Sequence, residues 1–116
     1  MMLDWDGYRQ ELMKRLGDLG RLSPGTLRGY RELSDAGNTT AHLDAKTREL
    51  IALAVSVTRQ CDGCITIHVH AARQHGATAE EVAEALGVAI AINAGAALVY
   101  SGRVMDAFTG APAAQA

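Results

Sequence analysis

The sequence predicts an all-α domain of about six helices, and three observations carry that prediction. Apolar residues recur at spacings of three and four along most of the chain. Asp, Ser or Thr precedes several of these runs and Gly follows them, which marks helix starts and stops. No alternating stretch rich in Val or Thr and bounded by turn residues is evident, and only two prolines, Pro24 and Pro112, occur in 116 residues.

The first segment runs from about Trp5 to Leu19, with Tyr8, Leu12, Leu16 and Leu19 at helical spacing and Gly20 placed to close it. The second opens at Ser23-Pro24, an N-cap followed by proline at the first helical position. It is expected to turn Leu27, Tyr30 and Leu33 inward and to end near Gly37, leaving Gly37 to Thr40 as a loop. The third starts at Asp44 and continues to about Thr58. From Leu50 to Val57 it is apolar on nearly every face, the pattern of a helix buried all round. The fourth runs from about Cys61 to His75 and stops at Gly76. The fifth begins with Thr78-Ala79-Glu80-Glu81, a capping-box pattern, and is apolar from Leu86 to Ile92. A break is expected at Asn93-Ala94-Gly95, with a sixth segment continuing to about Phe108 and Tyr100 and Met105 in the core. Residues 1–109 read as one domain and 110–116 as a flexible tail.

Composition narrows the function classes. Nearly half the residues (48%) are hydrophobic, yet there are only one Phe, one Trp and three Tyr, so the apolar mass is aliphatic and suits closely packed helices. The formal net charge is −2, with acids and bases interspersed, and no basic stripe marks a nucleic-acid partner. No run of about 20 apolar residues stands out, so no membrane span is expected. The start carries Asp4 and Asp6 and no basic region, which argues against a secretory signal. The third, fifth and sixth segments together carry more apolar surface than so short a chain hides alone, which predicts an oligomer.

The chemistry concentrates in Cys61-Asp62-Gly63-Cys64, which holds both cysteines of the chain. A pair this close staples nothing distant, so a secreted disulfide scaffold is excluded and cytoplasmic redox or metal chemistry is expected. Cys61, Cys64 and His68 stand at i, i+3 and i+7 and share one helix face. Near a helix start the free amides and the dipole favour a thiolate, the nucleophilic form of cysteine. His68 is placed to take its proton. The third and fourth segments are joined by few residues and should pack antiparallel. At about 1.5 Å rise per residue, Glu49 and His68 then reach similar depth, within roughly 3 Å along the axis. A Glu49–His68–cysteine relay is geometrically open, with Glu49 holding the imidazole tautomer. A zinc set of Cys61, Cys64, His68 and His70 is disfavoured, because one short helix cannot aim four ligands tetrahedrally. No metal and no organic cofactor are expected. His42 reads as solvated and His75 as a helix-end residue.

Glu49, eleven residues, Cys61-x-x-Cys64, three residues and His68, together with their flanks, resemble the signature of the AhpD-like (alkylhydroperoxidase D) branch of the carboxymuconolactone decarboxylase family. The flanks are Leu43-Asp44-x-Lys46-Thr47-Arg48-Glu49-Leu50 before the pair and Gly76-Ala77-Thr78-x-Glu80-Glu81-Val82 after it. The resemblance spans about Leu43 to Phe108. It implies an all-α helical bundle built on an antiparallel helix hairpin and assembled as a homotrimer or homohexamer. It implies a dithiol that reduces a peroxide or a partner disulfide, with a peroxiredoxin or a lipoyl or thiol reductant protein as partner. By the resemblance Cys64 meets the peroxide and Cys61 closes the disulfide, whereas the dipole argument favours Cys61 as attacker. Some AhpD proteins carry a histidine inside the C-x-x-C, where this chain has Gly63. The rival readings are a redox-sensing or adaptor oligomer with little turnover, and decarboxylation of a small lactone acid, typical of family members that lack the cysteine pair.

Overall fold

The computed structural model describes residues 1–112, and among them it holds five α-helices and no strand. α1 spans Trp5–Leu22, α2 Pro24–Thr40, α3 Ala45–Thr58, α4 Asp62–Gln74 and α5 Ala79–Gly110. The starts follow the capping residues. Asp4 accepts the Gly7 amide at 3.1 Å and Asp44 the Thr47 amide at 2.7 Å. At α5, Thr78 and Glu81 form the reciprocal capping box, at 3.1 and 3.0 Å. Pro24 opens α2 as expected, but the Ser23 hydroxyl pairs with Thr26 Oγ1 at 2.7 Å and caps no amide.

Three expected breaks are absent. Gly20 does not end α1. A Cβ there would stand 3.3 Å from Leu27 Cγ, so the bare backbone lets α2 pack against α1. Residues 37–40 form the last turn of α2, braced by Arg48, whose guanidinium donates to Asn38 Oδ1 at 2.9 Å and whose stem crosses Gly37. Asn93 does not divide α5. Its Nδ2 donates to Ala89 O at 2.8 Å and to Thr58 Oγ1 at 2.7 Å, so the polar group is satisfied within a continuous helix of 32 residues. α5 runs to Gly110, and residues 113–116 of the expected tail lie outside the described residues.

α1 packs on α2 and α4, and α3 packs on α4 and α5. The Cys61 amide donates to Ser56 O at 3.1 Å at one end of the α3–α4 hairpin, and Glu49 meets His68 one to two turns away, so the two helices run antiparallel. Leu53, Ala72 and Ala89 form the buried apolar centre. The buried hydroxyls are satisfied: Ser56 Oγ donates to Ala52 O at 2.6 Å and Thr66 Oγ1 to Trp5 O at 2.8 Å.

The single chain is open. Its radius of gyration is 19.9 Å, where about 13 Å suits a compact domain of this length. Its accessible surface is 9188 Å², some 3,000 Å² more than the roughly 6,100 Å² of a folded monomer of its mass. Tyr30 and Leu33 of α2, expected inward, are exposed, and so are Tyr100 and Met105, expected in the core. α3 is not buried all round, since Ile51, Val55 and Val57 are exposed. In α5, Ala85 to Gly102 carries no charged residue, and the helix is long and apolar enough to cross a membrane by length and composition alone.

Candidate functional site

The site is built on the α3–α4 hairpin. Arg59 and Gln60 make the turn, with Gln60 at φ 53° in the left-handed region. This sharp reversal places Cys61 as the N-cap of α4, where its Sγ accepts the Cys64 amide at 3.1 Å. A sulfur in that position meets the unpaired amides and the positive end of the helix dipole. Cys61 and Cys64 are joined as a disulfide, with their Cα atoms 5.2 Å apart, and both are half-buried.

His68 stands one helical turn beyond Cys64 on the same face. Glu49 reaches across from α3, and its Oε2 lies 2.7 Å from His68 Nδ1. A carboxylate only accepts, so Nδ1 carries the hydrogen, and in the neutral ring Nε2 is then the atom with the lone pair. The two side chains are 21% and 30% exposed, which keeps them within reach of a small solute. The structure thus pairs Glu49 with His68 and Cys61 with Cys64 on one helix hairpin. His70 turns away from them to the far side of α4, and among the described residues no three His, Cys, Asp or Glu converge as a metal set.

Two neighbours of the site were not legible from spacing. A Cβ on Gly63, between the cysteines, would stand 2.7 Å from Leu12 Cδ2, so α1 lies directly against the C-x-x-C turn. Any side chain at position 63 has to displace Leu12. The other is a clamp between helix starts. Lys46 Nζ meets Glu81 Oε2 at 2.8 Å, tying the entry of α3 to the capping box of α5. The hydrogen bond and charge of Lys46 hold Glu81 below the usual carboxylate range, and Glu81 in turn raises Lys46. Asp44 is lowered by its hydrogen bonds from Thr47.

Residues 24–107 match the model of the carboxymuconolactone decarboxylase family. An uncharacterized protein of Haemophilus influenzae is 47% identical over 109 residues, covering 94% of this chain and 96% of that one. Uncharacterized protein 4 in the cox locus of Paracoccus denitrificans is 37% identical over 99 residues, or 83% of this chain and 89% of its own length. Among solved structures, the apo crystal structure of a carboxymuconolactone decarboxylase family protein from Legionella pneumophila superimposes with a TM-score of 0.73. It is 32% identical, and the alignment covers 90% of this chain and 94% of that one.

Proposed function

The chain belongs to the carboxymuconolactone decarboxylase family, and on that premise we propose that it is an AhpD-like dithiol oxidoreductase that reduces a peroxide or a disulfide. The observation that carries this reading is the 2.7 Å contact between Glu49 and His68 on the face that holds the Cys61–Cys64 disulfide. A base oriented by a carboxylate, beside two thiols able to pair, is the equipment of two-electron thiol chemistry.

In the reduced protein, Cys64 gives its proton to His68 Nε2, directly or through one water. The Cys64 thiolate attacks the outer oxygen of a hydroperoxide. The O–O bond breaks, Cys64 becomes the sulfenic acid, and the alkoxide takes a proton and leaves as the alcohol. Cys61, held as a thiolate by the helix start, then attacks the Cys64 sulfur. The S–S bond forms and hydroxide leaves with a proton as water. The peroxide has gained two electrons, and an external dithiol returns them to the disulfide by exchange. On a partner disulfide the same thiolate forms a mixed disulfide that the second cysteine resolves. A cytoplasmic setting, with its reducing thiol pool, suits this cycle.

The chain works as a homo-oligomer in this reading. The excess surface falls in the range of obligate interfaces, and Leu98, Val99, Val104 and Phe108 leave the C-terminal part of α5 apolar and exposed, available to a second copy. The experiment that tests the activity is hydroperoxide consumption with dithiothreitol as reductant. Wild-type turnover abolished by Cys64→Ser supports the proposal. Undiminished turnover in that variant sinks it, and conversion of a lactone acid by Cys61→Ser and Cys64→Ser proteins would establish the decarboxylase reading instead.

A further inference from the structure

On the face of α4 turned away from the disulfide lies a cleft of about 760 Å³ that takes no part in the dithiol chemistry. α1 forms its other wall, fixed there by the Thr66 bond to Trp5 O at 2.8 Å. Its volume lies within the range of small-molecule sites, roughly 300 to 1,000 Å³. Trp5, Ile65 and Val69 give it an apolar floor, and Arg9, His70 and Arg73 bring cationic or protonatable groups to its edge.

Asp4 and Asp6 also line the cleft, but both are engaged. The Asp4 carboxylate caps α1 through the Gly7 amide at 3.1 Å. Asp6 is 78% exposed and faces Arg9, itself 20% exposed, at 3.1 Å. Arg73 has no carboxylate partner among the described residues, and it stands one turn from His70 on the same side of α4. An apolar floor beside an unneutralised guanidinium fork selects a molecule with an apolar body and an oxyanion head. The α1 wall precedes residues 24–107, the part that matches the family model, whereas the α4 wall lies within it.

The geometry points to a binding site for a small amphipathic organic anion, a carboxylate or phosphate monoester with an aliphatic or flat apolar body. The head pairs with Arg73 and His70, and the body lies on Trp5, Ile65 and Val69. The inference is independent of the dithiol chemistry.

Trp5 is the one tryptophan of the chain, so its fluorescence reports occupancy directly. Full-length protein is titrated with decanoate below its micelle concentration, and in parallel with decyl phosphate, decan-1-ol and decyltrimethylammonium. The site predicts a saturable change in Trp5 emission with both anions, at one ligand per chain. Decan-1-ol binds about tenfold more weakly, the usual worth of one charged hydrogen-bond pair. Arg73→Gln, an exposed change that leaves the fold and peroxide consumption intact, brings decanoate down to the level of the alcohol. No saturable response, equal binding of alcohol, ammonium and anion, or an unchanged affinity in Arg73→Gln overturns the inference. So does a response to phosphatidylglycerol vesicles with none to free decanoate, which marks a lipid surface instead.

Discussion

Replacing Glu49 by Gln tests the relay with little change of shape. The side chain keeps its length and can still accept from His68 Nδ1, so what is removed is the charge behind a 2.7 Å contact. Hydrogen bonds to charged groups contribute about 1.5 to 3 kcal/mol. The side chains are 21% and 30% exposed, so solvent screening places this pair at the lower end. About 1.5 to 2 kcal/mol of lost transition-state stabilisation corresponds to a roughly 10- to 30-fold slower reaction. The assay is single-turnover oxidation of the reduced protein by tert-butyl hydroperoxide, followed by stopped flow, with circular dichroism and Tm confirming the fold. His68→Asn should slow the step further. The double variant should be no slower than His68→Asn alone, because the two residues act as one unit. A rate for Glu49→Gln within twofold of wild type, in a folded protein, or strictly additive losses in the double variant, would refute the relay.

Further outcomes follow from the packing and the charges. In size-exclusion chromatography with light scattering, wild type should elute as a multimer and Val99→Glu/Val104→Glu as smaller species, since both are exposed apolar residues in the C-terminal part of α5. A monomeric wild type contradicts the assembly reading. Gly63→Ala should destabilise by about 1 kcal/mol through the clash with Leu12, and should become neutral or stabilising in a Leu12→Ala background. The same sign in both backgrounds, from denaturant unfolding, argues against that contact. For pH, Asp44 and Glu81 have lowered pKa values, so their stabilisation is present above the ordinary carboxylate range and is lost as pH falls through the still lower folded values. Lys46 is raised, so its contribution is full below its ordinary value of 10.5 and is lost above it. Tm should therefore be flat across neutral pH, fall in acid below about 4, and fall again in strong alkali. Glu81→Gln should flatten part of both limbs, and an unchanged profile in that variant denies the clamp.

The placement of the candidate site residues was legible because its signal is local and periodic. Cys61, Cys64 and His68 share a face by helix geometry alone, and the short turn after Thr58 fixes the depth at which Glu49 arrives. The capped starts at Asp44 and Thr78, and the stop at Gly76 with its φ of 80°, were likewise written in residues with one strong local role.

What sequence reading misplaced depends on partners far along the chain. Gly20 and Gly37 look like helix ends, but each is a gap into which Leu27 or Arg48 packs. The left-handed ends fall instead on Ala41 and Gln60, whose residue types give no such signal. Asn93 reads as a break until Thr58 is known to lie beside it. Tyr30 and Leu33 of α2 and Tyr100 and Met105 of α5 fall at apolar helical positions yet are exposed, because periodicity marks a face without saying what packs on it. The cleft behind α4 was missed because it exists only where α1 crosses that helix.

The most direct test of the central claim is a count of free thiols in the reduced protein before and after one equivalent of hydroperoxide, resolved in time. The account predicts rapid loss of two thiols per chain, recovery of both with a dithiol reductant, and a Cys61–Cys64 disulfide in the mapped peptide. Two thiols that survive the peroxide would contradict peroxide reduction at this site.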